Sequence, residues 1–175
     1  MNWTNIFIQK KIKNLCKNSG KRHHEFRSMD DIRNMLIFID DFDQCIVEFG
    51  LKQLVKQGKQ VQFCIYTNNE EFESEKEEYI YVNEERDLNK FAFPNEPLCR
   101  QIKDISTDIL IDLTESTSYP MHYLALIHPA TFKVGIKRDN NELYDFSIIP
   151  PPDREDDLAF IFDQILFYLK TIRSK

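Results

Sequence analysis

The chain has 175 residues, enough to bury an apolar core without metals or disulfides. Its 42% hydrophobic and 30% charged content, with 14 Phe and 7 Tyr, is that of a globular protein and excludes intrinsic disorder. A formal net charge of −6 argues against a general affinity for nucleic-acid phosphates.

The charge is uneven. Residues 1–27 carry seven Lys/Arg against Glu25, a net of +6, whereas the remainder carries 16 basic and 28 acidic residues, a net of −12. A basic arm of residues 1–29 is therefore expected to precede a single α/β domain spanning 30–175. From Trp3 to about Lys17, the residues Trp3, Phe7, Ile8, Ile12 and Leu15 fall on one broad stripe with lysines opposite, which predicts an amphipathic helix. Its apolar stripe is modest, so docking on the body is expected and membrane contact is not. The opening MNWTNIFIQKKIKNL lacks a small-residue cleavage site and does not read as a signal peptide. Four cysteines without ligand or CxxC spacing point to reduced thiols and a cytoplasmic protein.

The run NMLIFID (34–40) is continuously apolar and of strand length, as expected for a strand buried on both faces. A helical period from about Asp43 to Gln57 closes at Gly58, and VQFCIY (61–66) supplies the next strand, giving a βαβ unit. The acidic stretch 68–78 reads as solvated, YIYVN (79–83) as a third strand, and 84–97 as a structured loop with two prolines. A short helix is expected from Pro97 to about Lys103, a buried strand over 108–114, and a helix over Pro120–His128. Phe132–Lys137 alternates as a strand in which Gly135 marks a bulge or close approach, and Tyr144–Ile148 is the last strand.

The C-terminal helix is expected to be capped by Asp153, with Glu155, Asp156 and Asp157 in its first turn and Lys170, Arg173 and Lys175 in its last. Leu158, Ile161, Phe162, Ile165, Leu166, Leu169 and Ile172 form its core stripe. Phe160, Phe167 and Tyr168 widen the stripe, which leaves two readings: a helix wedged between sheet and neighbour, or a homodimer contact. The whole pattern predicts a three-layer, Rossmann-like, mostly parallel sheet of five to six strands with helices on both faces.

Carboxylates collect where such sheets bind ligands, at the C-terminal strand ends: Asp40, Asp41 and Asp43 after the first strand, Asp112 and Glu115 after the 108–114 strand. They are candidate ligand-binding residues, and together they have the oxygen chemistry to hold Mg²⁺. The competing expectation is that Asp40, Asp41 and Asp43 cap the helix they precede. None of the four glycines forms a phosphate-cradling turn, and no histidine pair has ligand spacing, so neither a cofactor nor a resident metal is expected.

LIFIDDFDQ (36–44) resembles the strand-plus-acidic-pair opening of response-regulator receiver domains; Asp112, the nearest acceptor candidate, lies 71 residues beyond Asp41, so the resemblance implies a degenerate signalling domain that pairs with a partner without phosphorylation. Asp41-Phe42-Asp43, with IYTN (65–68), resembles the first two motifs of haloacid-dehalogenase phosphatases. TDILIDLTESTSYPMHYLALIHPATFKVGI (107–136) resembles the N-terminal domain of ADP-heptose-type glycosyltransferases, which implies a sugar-nucleotide or other small ligand at the strand-end crevice. LIFIDD (36–41), RDLNKFAFPNEP (86–97) and DILIDLTESTSYPMHYLALIHPATFKVGI (108–136) together resemble a family of short uncharacterised proteins from Bacteroides-type bacteria. That resemblance implies fold and lineage but no activity. The residues thus favour a binding or assembly module over an enzyme.

Overall fold

The computed structural model describes residues 4–19, 23–40, 51–68, 78–137 and 143–172. In chain order the elements are α1 (Thr4–Ser19), β1 (Asn34–Asp40), α2 (helical residues 51–56), β2 (Gln60–Thr67), β3 (Tyr79–Asn83), α3 (Glu84–Asp87), α4 (Glu96–Asp104), β4 (Ile109–Asp112), α5 (Tyr119–Ile127), β5 (Lys133–Ile136), β6 (Phe146–Ile148) and α6 (Leu158–Thr171).

The six strands form one sheet in the order β3-β2-β1-β4-β5-β6, and every pairing is parallel. The expectation of a mostly parallel sheet is thus met by a wholly parallel one. Because side chains alternate across a strand, continuous apolar runs feed two cores. Met35, Ile37 and Ile39 of β1 point to one face with Phe63, Ile65, Ile109 and Ile111, where α6 supplies Ile161, Phe162, Ile165, Leu166 and Leu169. Leu36 and Phe38 point to the other face with Cys64 and Leu110, covered by α1, α4 and α5 through Ile8, Ile12, Leu98, Ile102, Met121 and Leu124. This is the three-layer Rossmann-like arrangement.

The N-terminal helix docks on the body: α1 packs against α5 and buries Ile8, Ile12 and Cys16. The inward stripe is shifted from the expected one, since Phe7 is 56% exposed and Cys16 takes the inner position. Trp3 lies outside the described residues. The following segment is laced to the sheet by Glu25 N donating to Thr131 O, Met29 N to Leu169 O, and an Arg27–Asp108 ion pair at 2.8 Å.

Three local expectations need correction. Residues 84–97 contain a one-turn helix, α3, because the Asn83 side chain accepts from Glu85 N and Arg86 N while Asp87 accepts from Asn83 N. Asp153 does not cap α6. It lies in a 3₁₀ turn, Pro152–Arg154, and the cap is Asp157, whose carboxylate accepts from Phe160 N. The helix starts where the buried stripe starts, at Leu158, so the acidic residues precede it. Nor is the widened aromatic stripe of α6 wedged deeply between sheet and neighbouring helix, for Phe167 and Tyr168 are 57% and 43% exposed. Arg173 and Lys175, expected in its last turn, lie outside the described residues.

Two buried lysines tie the base of the sheet. Lys59 Nζ donates to Met29 O and Ile32 O, both at 2.6 Å, and Lys133 Nζ donates to His128 O at 2.6 Å and Leu126 O at 3.2 Å. Lys59→Met keeps the apolar stem but leaves two carbonyls unpaired. It is expected to cost about 2 kcal/mol in urea unfolding, and an unchanged midpoint would show that water replaces the ammonium without penalty.

Candidate functional site

In this strand order β1 is the switch point: the chain leaves it towards β2 and β3 on one side, and β4, β5 and β6 lie on the other. Loops at the C-terminal ends therefore diverge there, which opens a crevice by topology alone. The crevice is an open cleft of about 960 Å³. It is bordered by Asp40 of β1, Tyr66 and Thr67 of β2, Glu84 and Glu85 of α3, and Glu115 and Ser118 of the β4–α5 loop. Asn5 of α1 and Asn89 and Lys90 of the turn after α3 close its outer side.

Asp40 bridges the two halves. Its Oδ2 accepts from the Glu115 backbone N–H at 2.6 Å and its Oδ1 accepts from the Ser118 hydroxyl at 2.9 Å. Ser118 occupies the N-cap position of α5 but makes no side-chain cap bond, because its hydroxyl serves Asp40 instead. Asp40 thus fastens the loop of a neighbouring strand, while residues 41–50, where the helix it is expected to cap would begin, lie outside the described residues. Burial lifts its pKa from 3.8 to about 6, against the lowering effect of these two hydrogen bonds, with Asp112 and Glu115 adding repulsion.

Asp112 is fully buried beneath the cleft. One oxygen accepts from Thr114 N and Thr114 Oγ1 at 3.0 and 2.6 Å, and the other accepts from the Tyr144 hydroxyl at 2.6 Å. A carboxyl group so enclosed is a structural hub and is not open to accept a phosphoryl group. The Tyr144 ring passes over Gly135, where a Cβ would lie 2.6–2.8 Å from three ring atoms. This is the close approach that a lone glycine in the strand predicts.

Of the five carboxylates singled out in the sequence, the structure brings Asp40 and Glu115 to the cleft and places Asp112 behind it. Asp41 and Asp43 lie outside the described residues, and with them the DxD resemblance. Among the described residues no group of three His, Cys, Asp or Glu side chains is arranged to hold a metal ion. Sequence reasoning missed Tyr66, Glu84, Asn89 and Ser118. Tyr66 and Glu84 form a pair, with the hydroxyl donating to Glu84 Oε2 at 3.4 Å, and burial followed by this carboxylate pushes the phenol pKa up. The available signal was positional: Tyr66 and Thr67 end β2 as Asp40 ends β1.

A model of a family of unknown function, DUF6913, matches residues 5–172. The chain belongs to DUF6913. The match runs from α1 through α6, so the cleft of this DUF6913 protein and the helix beside it are both within the family's common region. A comparison with curated proteins gives no match. Membership bears out the resemblance to uncharacterised proteins and brings no activity with it. Among the described residues of this DUF6913 chain, no helix is long and apolar enough to cross a membrane.

Proposed function

We propose that this protein is a cytosolic binding module that takes a small polar, hydroxyl- or amine-bearing ligand in the switch-point cleft through Asp40, Glu84, Glu115 and Ser118. The observation that carries the reading is the lining: among the described residues four carboxylates (Asp40, Glu84, Glu85, Glu115) and several amide and hydroxyl groups converge there, against the single ammonium of Lys90. Carboxylates accept hydrogen bonds from hydroxyls and ammonium groups and repel anions. The diphosphate of a sugar nucleotide is therefore disfavoured, and the chain after β1 has no glycine-rich turn to offset the repulsion. Binding rather than turnover is favoured because both Asp40 oxygens are engaged and Asp112 is sealed from the cleft. The buried free thiol of Cys64 supports a reducing compartment.

The test is thermal unfolding with panels of neutral saccharides, polyols and polyamines, set beside nucleotide sugars. A ligand at a hundred times its Kd adds about 2.7 kcal/mol, which raises Tm by roughly 5–10 °C for a chain of this size. The shift is expected from the neutral or cationic panel and should vanish in Glu84→Gln. A shift from nucleotide sugars alone, or from no panel, would overturn the reading.

A further inference from the structure

We propose that the outward face of α1 is a docking surface for an anionic phospholipid bilayer. The helix Thr4–Ser19 contains four lysines and no acidic residue. Ile8, Ile12 and Cys16 are spent on the core, and at the helical period of about 100° per residue Lys10 and Lys17 fall diametrically opposite them, with Lys11 and Lys13 to either side. All four lysines are exposed, and none forms an ion pair among the described residues.

An aromatic pair sits in the same field. Phe7, 56% exposed, meets Phe91 edge-on at 5.0 Å, and Lys90 Nζ lies 5.1 Å from the Phe91 ring centroid. The four lysines that run along the outward side of α1, with Lys90 and the two partly exposed rings at its N-terminal end, form one basic and aromatic strip on a convex helix surface. Such a patch suits lipid headgroups: lysines are attracted to the anionic surface while phenyl rings enter the headgroup boundary. Protein interfaces instead deplete lysine and want a shaped recess. The overall charge of −6 does not cancel the patch, because at physiological salt fields decay over about 8 Å. The modest apolar stripe that made membrane contact unexpected from sequence is used inwards; the surface inferred is the opposite face.

The experiment is sedimentation of the full chain with vesicles of phosphatidylcholine alone and of phosphatidylcholine mixed equally with phosphatidylserine. Binding is expected to the mixed vesicles, to weaken as salt is raised, and to fall at least about tenfold in Lys10→Glu/Lys13→Glu/Lys17→Glu. Phe7→Ser, at a half-exposed position, is expected to weaken binding while circular dichroism shows the fold retained and Tm falls by only a few degrees, the loss of the Phe7–Phe91 edge contact. Equal binding to both vesicle types, binding to neither, or full retention by the folded triple variant would overturn the proposal. So would tighter capture by poly-L-glutamate in solution than by the mixed vesicles, which would identify an acidic polypeptide as the partner. Ligand-induced Tm shifts at the cleft are read separately, so failure of either proposal leaves the other standing.

Discussion

Gly135→Ala is expected to cost about 3 kcal/mol, although it adds one methyl group to a strand. The new Cβ would stand 2.6–2.8 Å from the Tyr144 ring, inside van der Waals contact. The ring cannot step aside freely, because its hydroxyl is held by Asp112 at 2.6 Å. Overpacking alone costs roughly 1–3 kcal/mol, and displacing the phenol forfeits a hydrogen bond to a fully buried carboxyl group worth roughly 1.5–3 kcal/mol. A double-mutant cycle with Tyr144→Leu isolates the mechanism. With the ring gone, alanine at 135 should be tolerated, so urea denaturation should show a coupling of about 2 kcal/mol. Equal costs in the two backgrounds would place the defect in the backbone and remove the ring from the explanation.

Asp40→Asn is expected to stabilise the protein at neutral pH by about 2–3 kcal/mol and to expose an acid-labile slope that the parent chain conceals. A folded-state pKa raised from 3.8 to about 6 means that the native state binds more protons than the unfolded state between those values. Asp40 therefore contributes stability in acid that is lost as pH rises through 6. His128 does the opposite. Burial, with Lys133 adding repulsion, lowers its pKa from 6.5 to about 4, so the unfolded state binds the extra proton. Its contribution is complete above 6.5 and is lost as pH falls towards 4. Each amounts to about 3 kcal/mol, and over the shared window they nearly cancel. The asparagine variant, an isostere of the protonated side chain, should lose about 3 kcal/mol between pH 6.5 and 4 that the parent retains. Parallel stability profiles for the two proteins would refute the assignment.

That a cleft carboxylate should destabilise the neutral protein accords with the binding role proposed for it. The sequence pointed to Asp40 through position alone: it ends the first strand of a βαβ unit. What position could not tell was its partner, because Glu115 and Ser118 are 75 and 78 residues away and meet it only once β4 lies beside β1. The same limit explains Asp112, indistinguishable from Asp40 as an aspartate at a strand end, yet buried by Tyr144 from the far side of the sheet. The strands were legible because a buried parallel strand is apolar at every position, and β1 meets that condition on both faces. Asp157 in place of Asp153 illustrates the remaining difficulty. Asp153, Asp156 and Asp157 are all competent caps within five residues, and packing of Leu158 onwards decides which one is used.

The placement of β1 between β2 and β4 also shapes how the chain leaves the ribosome. Its first neighbour, at 60–67, follows soon, but its second, at 109–112, emerges about 45 residues later, on the order of seconds at ordinary elongation rates. Throughout that interval a strand with five consecutive apolar residues has one open edge, and the nascent chain is most prone to mispairing before Ile109 arrives.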